Sequence, residues 1–213
     1  MAKKKAKFKI VYNAPVTLTF AIWAVIVLVV NQFVAEGLIP SLFTVPGKIG
    51  SEMAFRWSNP LDYVRLFTHV LGHDDWSHLL ANLSFILLLG PLLEERYGSP
   101  MLSLMISITA FVTGVVNVCF FSRALVGASG IAFMMILLSS FTAIGKKQIP
   151  LTFLLVLILY VGQELATGIH SENGACVAHI VGGLCGSLFG FLSAHAPKTK
   201  GKKKSSQGEN SEE

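Results

Sequence analysis

The chain has 213 residues, of which 53% are hydrophobic and 14% charged, and its formal net charge is +5. A mean hydropathy of +0.62 excludes an ordinary soluble domain and indicates that the bilayer is the solvent. The lysines gather at the two ends and in one short loop, which suits a membrane surface better than nucleic acid, and the three cysteines show no disulfide or metal-ligand spacing.

Six apolar stretches of nearly twenty residues predict six transmembrane helices, each bounded by charge, glycine or proline. The class is therefore all-α and polytopic, with a membrane domain over residues 16–196 between a basic cytoplasmic N-terminus (1–15) and a disordered cytoplasmic tail (197–213). The first stretch is long enough to be a retained span rather than a cleaved signal peptide. The predicted spans are 16–35, 78–95, 100–121, 127–144, 150–168 and 174–195.

The basic residues predict the orientation of these spans. If both termini are cytoplasmic, thirteen of the seventeen lysines and arginines lie on the inner side, as the positive-inside rule requires. The predicted topology is N-in/C-in. The segment 36–77, with its prolines and aromatic residues, is too long for a simple connector and is predicted to be a folded loop at the outer interface.

Four polar residues lie within predicted spans, where they are costly unless they have a partner, a wet cavity or a function. Each one alone could bond its own helix or join two helices. At about 1.5 Å rise per residue, however, all four fall at one depth, roughly 18–28 Å above the cytoplasmic ends of their spans. A shared outer layer favours a water-accessible site made by His78, Asn82, Ser129 and His179.

The string Gly127-Ala128-Ser129-Gly130 opens the fourth span directly after a loop. A serine in the first helical turn has a backbone N–H without an intrahelical acceptor, at the positive end of the helix dipole. That N–H can face a developing oxyanion, and the glycines allow a backbone to approach closely. The string alone is a weak signal.

The sixth span carries His179 followed by Gly182, Gly186 and Gly190. This small-xxx-small face predicts close contact with another helix, and His179 shares it. If the partner is the fourth span, the imidazole can meet the Ser129 hydroxyl and act as its general base. No acidic third member is evident at this depth, so the pattern predicts a dyad; the competing interpretation is a packing helix with one satisfied histidine.

In these residues the sequence resembles the rhomboid family of intramembrane serine proteases. The similarity extends over all six spans and implies a six-helix rhomboid-like bundle. Its motifs are Phe67-Thr68-His69, His78 with Asn82, Glu94 with Arg96 and Gly98, Gly127-x-Ser129-Gly130, and Ala178-His179-x-x-Gly182-x-x-x-Gly186.

The resemblance implies that Ser129 is the nucleophile and His179 the base, and that His78 and Asn82 complete the oxyanion hole with the Ser129 N–H. The family often has tyrosine one turn after the serine, stacked on the histidine. Here Phe133 keeps the ring and is expected to keep the stacking. The family's Trp-Arg pair in the outer loop is only half present, as Val64-Arg65, and its Glu/Arg pair is matched by Glu94 and Arg96, which look structural.

The predicted function is a serine endopeptidase that cuts transmembrane segments of membrane proteins near the outer face, without metal or organic cofactor. The resemblance implies single-span substrates with a small residue before the cut and helix-weakening residues after it. A bacterial plasma membrane is the simplest location. Two other functions remain open: a non-enzymatic rhomboid-like protein that binds membrane clients, and a small transporter with a proton path through His78, His179 and Glu164.

Overall fold

A computed structural model of the chain describes residues 12–141, 151, 154, 155, 158, 159 and 174–195. Over residues 12–141 and 174–195 it has seven α-helices and a 3-10 turn at His69–Leu71, and the five described residues between 151 and 159 are also helical. The helices are α1 (Pro15–Phe33), α2 (Leu38–Leu42), α3 (Pro60–Thr68), α4 (Trp76–Tyr97), α5 (Ser99–Phe120), α6 (Ser129–Phe141) and α7 (Gly174–His195).

The long helices begin close to where the apolar stretches predict them. Pro15 and Pro100 lie in the first turns of α1 and α5, where the missing N–H of proline costs least. Within the described residues, α1, α4 and α5 are long and apolar enough to cross a membrane, while α6 and α7 carry shorter apolar stretches. Most of the predicted fifth span (150–168), the first eleven residues and the tail 197–213 lie outside the described residues.

A buried carboxylate on α4 holds the start of α1. The first residue before α1 offers no side-chain cap, and Glu94 takes that role from a distant helix. Its Oε1 accepts the Val16 N–H at 2.9 Å, its Oε2 accepts the Thr17 N–H at 3.0 Å and the Thr17 hydroxyl at 2.9 Å, and the Ser99 hydroxyl donates to Oε1 at 2.7 Å. Glu94 therefore stabilises the junction of three helices, as its predicted structural role requires, whereas Arg96 lies over the Tyr97 ring.

The segment 36–77 is folded, and its helix α3 has its polar side chains inside. Asp62 and Arg65 are buried and form an ion pair at 2.6 Å, and Arg65 Nε donates to the Ser41 carbonyl at 2.7 Å. The apolar side chains of Leu61, Val64 and Phe67 are exposed instead. An exposed apolar face opposite a satisfied polar one suits a helix against lipid.

Helix α6 lies at the centre of the bundle. Every residue from Ile131 to Leu138 is buried, and the hydrophobic core around α6 also draws on α4 and α5. A helix that is buried on all sides needs apolar residues all round, which explains why α6 has no amphipathic pattern. Its first residue, Ser129, is the only polar side chain of its first turn.

We expect the substitution Glu94→Gln to destabilise the fold. The amide keeps the shape but loses the charge-assisted bonds to two backbone N–H groups, and leaving such groups poorly paired costs about 1–3 kcal/mol. Unfolding in mixed detergent micelles, followed by circular dichroism, measures the loss. Glu95→Gln is the matched control, because Glu95 is exposed; an equal loss in that variant would contradict the capping role.

Candidate active site

The loop that enters α6 is fixed by hydrogen bonds from two consecutive backbone N–H groups. The Gly127 N–H donates to the His69 carbonyl at 3.0 Å, and the Ala128 N–H donates to Nε2 of His73 at 3.3 Å. Gly127 has φ +118°, a left-handed conformation that a side chain would strain. The next residue, Ser129, is half-buried and begins α6, so its own N–H has no acceptor within the helix.

Helices α6 and α7 cross with almost no space between their backbones. A Cβ on Gly182 would overlap the Gly130 carbonyl, and one on Gly186 would overlap the Met134 carbonyl. A Cβ on Gly130 would in turn lie 3.1 Å from the Ala178 carbonyl oxygen. The small-residue face of the sixth predicted span therefore packs on the fourth, which is the condition on which the predicted dyad depends, and the residues next to Ser129 and His179 are in contact.

The imidazole of His179 stacks on Phe133. The two rings are 4.3 Å apart between centroids and only 3° from parallel. This confirms the expected stacking in the absence of the tyrosine hydroxyl. Phe133 lies one turn after Ser129, so the stack orients the imidazole beside the start of α6.

His78 and Asn82 lie one turn apart near the start of α4. A Cβ built on Gly127 would lie 2.7 Å from Cε1 and 2.8 Å from Nε2 of His78, so only glycine leaves room for the ring there. Asn82 is buried, and its Nδ2 has no hydrogen-bond partner among the described residues. An unpaired buried amide is costly, and such a donor is available to an oxyanion.

Five of the six residues singled out from the sequence thus lie on the helices α4, α6 and α7, and the sixth, Gly127, lies in the loop that enters α6. Gly127 contacts His78, Phe133 contacts His179, and Gly130 joins Ser129 to the α7 crossing. No group of three or more His, Cys, Asp or Glu side chains with metal-binding geometry occurs in the described part of the chain.

The sequence did not single out His73 and Asp74 as residues that lie beside the candidate site. The His73 ring is fully buried and lies 5.1 Å from the His78 ring, edge to face. Burial lowers the pKa of His73 to about 4, and the neighbouring His78 ring adds to this effect. Burial likewise lowers the pKa of His69 to about 4. The spacing of His69, His73 and His78 was the available signal, because three histidines in ten residues around a helix start are unusual for a plain connector.

Comparison with known proteins decides the family. The Rhomboid domain matches residues 60–196. The chain belongs to the rhomboid family. It is 33% identical over 144 residues to RHOMBOID-like protein 1 of Arabidopsis thaliana, a match that covers 63% of this chain and 35% of the relative.

A second relative is Rhomboid protease GlpG of Haemophilus influenzae. It is 24% identical over 140 residues, covering 63% of this chain and 71% of the relative. The chain thus spans about a third of the length of the Arabidopsis relative and more of the bacterial one. Rhomboid membership together with the long apolar helices makes this chain a membrane protein.

We expect His73 to make the fold less stable in acid. Its pKa is about 4 in the folded chain against an ordinary value of 6.5 for histidine, so the unfolded chain binds the proton first. The contribution of His73 to stability is therefore complete above pH 6.5 and is lost as the pH falls towards 4. The free energy of unfolding should fall by about 1–3 kcal/mol over this range. The measurement is the unfolding free energy of wild type and His73→Gln between these two pH values. Position 73 cannot titrate in the variant, whereas His69 still does, so stability should decline less steeply in the variant than in wild type. An equally steep decline in both would contradict the assignment.

The α6–α7 crossing gives a second prediction. Gly182→Ala places a methyl group on the Gly130 carbonyl, whereas Gly183→Ala meets only the flexible end of Leu137. We expect Gly182→Ala to lower the free energy of unfolding by about 1–3 kcal/mol or more, and Gly183→Ala to change it much less. Thermal unfolding in detergent compares the two, and equal effects would rule out a backbone contact at Gly182.

Proposed function

We propose that this rhomboid protein is an intramembrane serine endopeptidase in which Ser129 is the nucleophile and His179 the general base. The observation that supports it most is the close crossing of α6 and α7 at Gly130 and Gly182, with His179 stacked on Phe133 one turn after Ser129. Two elements that approach so closely can bring a hydroxyl and an imidazole within hydrogen-bond reach. The name of the bacterial relative, a rhomboid protease, agrees with this activity.

In the proposed reaction, Ser129 Oγ attacks a peptide carbonyl carbon as its proton passes to His179. The C–O bond forms and the carbonyl oxygen becomes an oxyanion. His179 then gives the proton to the leaving amine as the C–N bond breaks, which leaves an acyl-enzyme. Water attacks that ester with His179 again as the base, releasing the acid and restoring Ser129.

The oxyanion is held in this proposal by the Ser129 N–H, His78 and Asn82. The unpaired Nδ2 of buried Asn82 supports its part, and the contact of the His78 Nε2 edge with Gly127 supports that of His78. The Ser129 N–H is fixed before substrate arrives, because the loop before it is tied to His69 and His73. Donors that need no reorganisation stabilise a developing charge most effectively.

The substrates proposed are transmembrane segments of single-span proteins, cut near the outer face after local unwinding. The proposed topology is six spans, N-in and C-in, with residues 16–196 as the catalytic membrane domain and a bacterial plasma membrane as the location. The exposed apolar face of α3 supports contact between the outer loop and lipid. The dyad needs no metal or organic cofactor.

The test is cleavage of a labelled transmembrane substrate by the purified protein in liposomes. Ser129→Ala and His179→Ala should each lower the rate by about 10³-fold or more. In the same assay, His78→Ala and Asn82→Ala should lower kcat by roughly 10–10³-fold with folding retained. Ser140→Ala is the control, since its hydroxyl only bonds the Ile136 carbonyl of its own helix.

The outcomes separate the three functions. Cleavage that survives both Ser129→Ala and His179→Ala would eliminate the dyad. Binding of the substrate without any cleavage by wild type would indicate a client-binding protein instead. Proton-coupled uptake into the liposomes without cleavage would indicate a transporter.

A further inference from the structure

A groove of about 460 Å³ lies between the first turns of α1 and the first turns of α5. Phe20 and Trp23 line it on the α1 side, and Ser103, Ile106 and Ser107 line it on the α5 side. The side chains of Trp23 and Ser107 are exposed, so this α1–α5 groove opens to the surroundings of the bundle. Around the spans of a membrane protein those surroundings are lipid.

Three hydroxyl groups of the α1–α5 groove are already bonded inside the protein. Ser107 Oγ donates to a carbonyl of its own helix at 2.9 Å, and the Ser99 hydroxyl donates to Glu94 at 2.7 Å. Thr19 Oγ1 lies 2.9 Å from the Tyr12 hydroxyl. Hydroxyls that are satisfied in this way tolerate contact with hydrocarbon. The groove therefore suits an apolar occupant despite its serines.

One end of the groove lies at the polar junction of α1, α4 and α5. Val16 and Ser99 line the groove at this end, and both donate to Glu94. Arg96 follows two residues after Glu94 and is exposed. Tyr12 is exposed as well, and tyrosine is enriched where a membrane meets water. This end of the groove therefore belongs at the level of the lipid headgroups.

The sequence adds positive charge at the same end. Five lysines precede α1, namely Lys3, Lys4, Lys5, Lys7 and Lys9. Lys9 is so close to Pro15 in the chain that its Cα lies at most roughly 21 Å from the start of α1. Of the two acids in the last turn of α4, Glu94 is buried and bonded, and Glu95 is exposed. Positive charge thus dominates this end, and such a cluster beside a span attracts anionic headgroups.

The dimensions of the groove favour an acyl chain over a helix. The groove extends from Pro15 to Trp23 along α1 and from Ser99 to Ser107 along α5, which is roughly 12 Å at a rise of about 1.5 Å per residue. This length is most of one leaflet of hydrocarbon, about 15 Å. A helix about 10 Å wide fills roughly 900 Å³ over that length, which is more than the groove provides. A lipid acyl chain is much thinner.

We propose that the α1–α5 groove binds an acyl chain of an anionic phospholipid whose headgroup is held by Arg96 and the five lysines before α1. The chain of this lipid contacts both helices and also Leu71, which lines the groove. Leu71 ends the turn that begins at His69, whose carbonyl holds the Gly127 N–H. The lipid therefore stabilises the folded chain. This inference goes beyond the proposed function, because it concerns binding outside the candidate active site.

The first experiment measures lipid binding to the delipidated full-length protein in detergent by native mass spectrometry. The probes are phosphatidylglycerol and phosphatidylcholine with identical acyl chains, so that only the headgroup and its charge differ. We expect the first phosphatidylglycerol molecule to bind about tenfold more tightly than phosphatidylcholine, and the temperature of thermal unfolding to rise as it binds. Equal affinities for the two lipids would overturn the proposal.

A second experiment fills the groove. Ser107→Phe places a ring where the acyl chain lies and should lower the affinity for phosphatidylglycerol about tenfold or more. Ser84→Phe is the matched control, since Ser84 is also an exposed serine that bonds a carbonyl one turn earlier, but it does not line the groove. An unchanged affinity in Ser107→Phe, or an equal loss in Ser84→Phe, contradicts the acyl-chain site. A changed oligomeric state of Ser107→Phe with unchanged lipid affinity would indicate a second copy of the chain as the occupant instead.

The headgroup contact is tested separately, with variants that leave the folded helices unchanged. One variant replaces the five lysines before α1 with glutamine. The matched control replaces the same number of lysines in the C-terminal tail, namely Lys198, Lys200, Lys202, Lys203 and Lys204. We expect the first variant to reduce the preference for phosphatidylglycerol to about twofold and the control to keep it near tenfold. An equal reduction in both would mean that anionic lipid is attracted without a defined site, and the proposal would fail.

Discussion

The close contact between α6 and α7 is the constraint on which the candidate site depends. Bundles in lipid gain little from burying apolar surface, so their helices associate through close packing and polar contacts. Gly130 and Gly182 remove every side chain from the crossing, and the backbones meet there directly. Such a close approach fixes the position of α7 along the axis of α6 to within a fraction of a helical turn. It is the reason that Phe133 can stack on His179 at 4.3 Å instead of passing beside it.

A second constraint fixes the entrance to α6 from the opposite side. The N-terminus of a helix carries orphan N–H groups, and the two that precede Ser129 are taken up by the His69 carbonyl and the His73 ring. Both acceptors come from the end of the segment 36–77, which is itself anchored by the buried Asp62–Arg65 pair and by the backbone pairing of Val45 with Leu125. The order of this segment is thereby transmitted to the serine through two hydrogen bonds from consecutive backbone N–H groups. Among the described residues, the first helical N–H of α6 without an acceptor is that of Ser129.

How much of this could be predicted from the sequence depends on the range of the interaction. Local rules predict the starts of α1 near Pro15 and of α5 near Pro100, the opening of α6 close to Ser129 and the glycine face of α7. These predictions were confirmed. The Glu94 cap joins residues nearly eighty positions apart, and the His73 contact with Ala128 spans fifty-five. The hydrophobic periodicity of a sequence does not predict such distant hydrogen-bonded pairs, because any buried polar residue could have accepted from the same N–H groups.

His73 and His78 show how position gives one residue type two different environments. The His73 ring is fully buried and accepts the Ala128 N–H, and both conditions oppose a proton. The His78 ring is partly open to solvent, its Nδ1 lies 3.6 Å from Oδ2 of Asp74, and it meets the His73 ring edge to face at 5.1 Å between centroids. The buried ring therefore aligns the loop before Ser129 by accepting a hydrogen bond from its backbone, while the His78 ring faces Gly127 in the same loop.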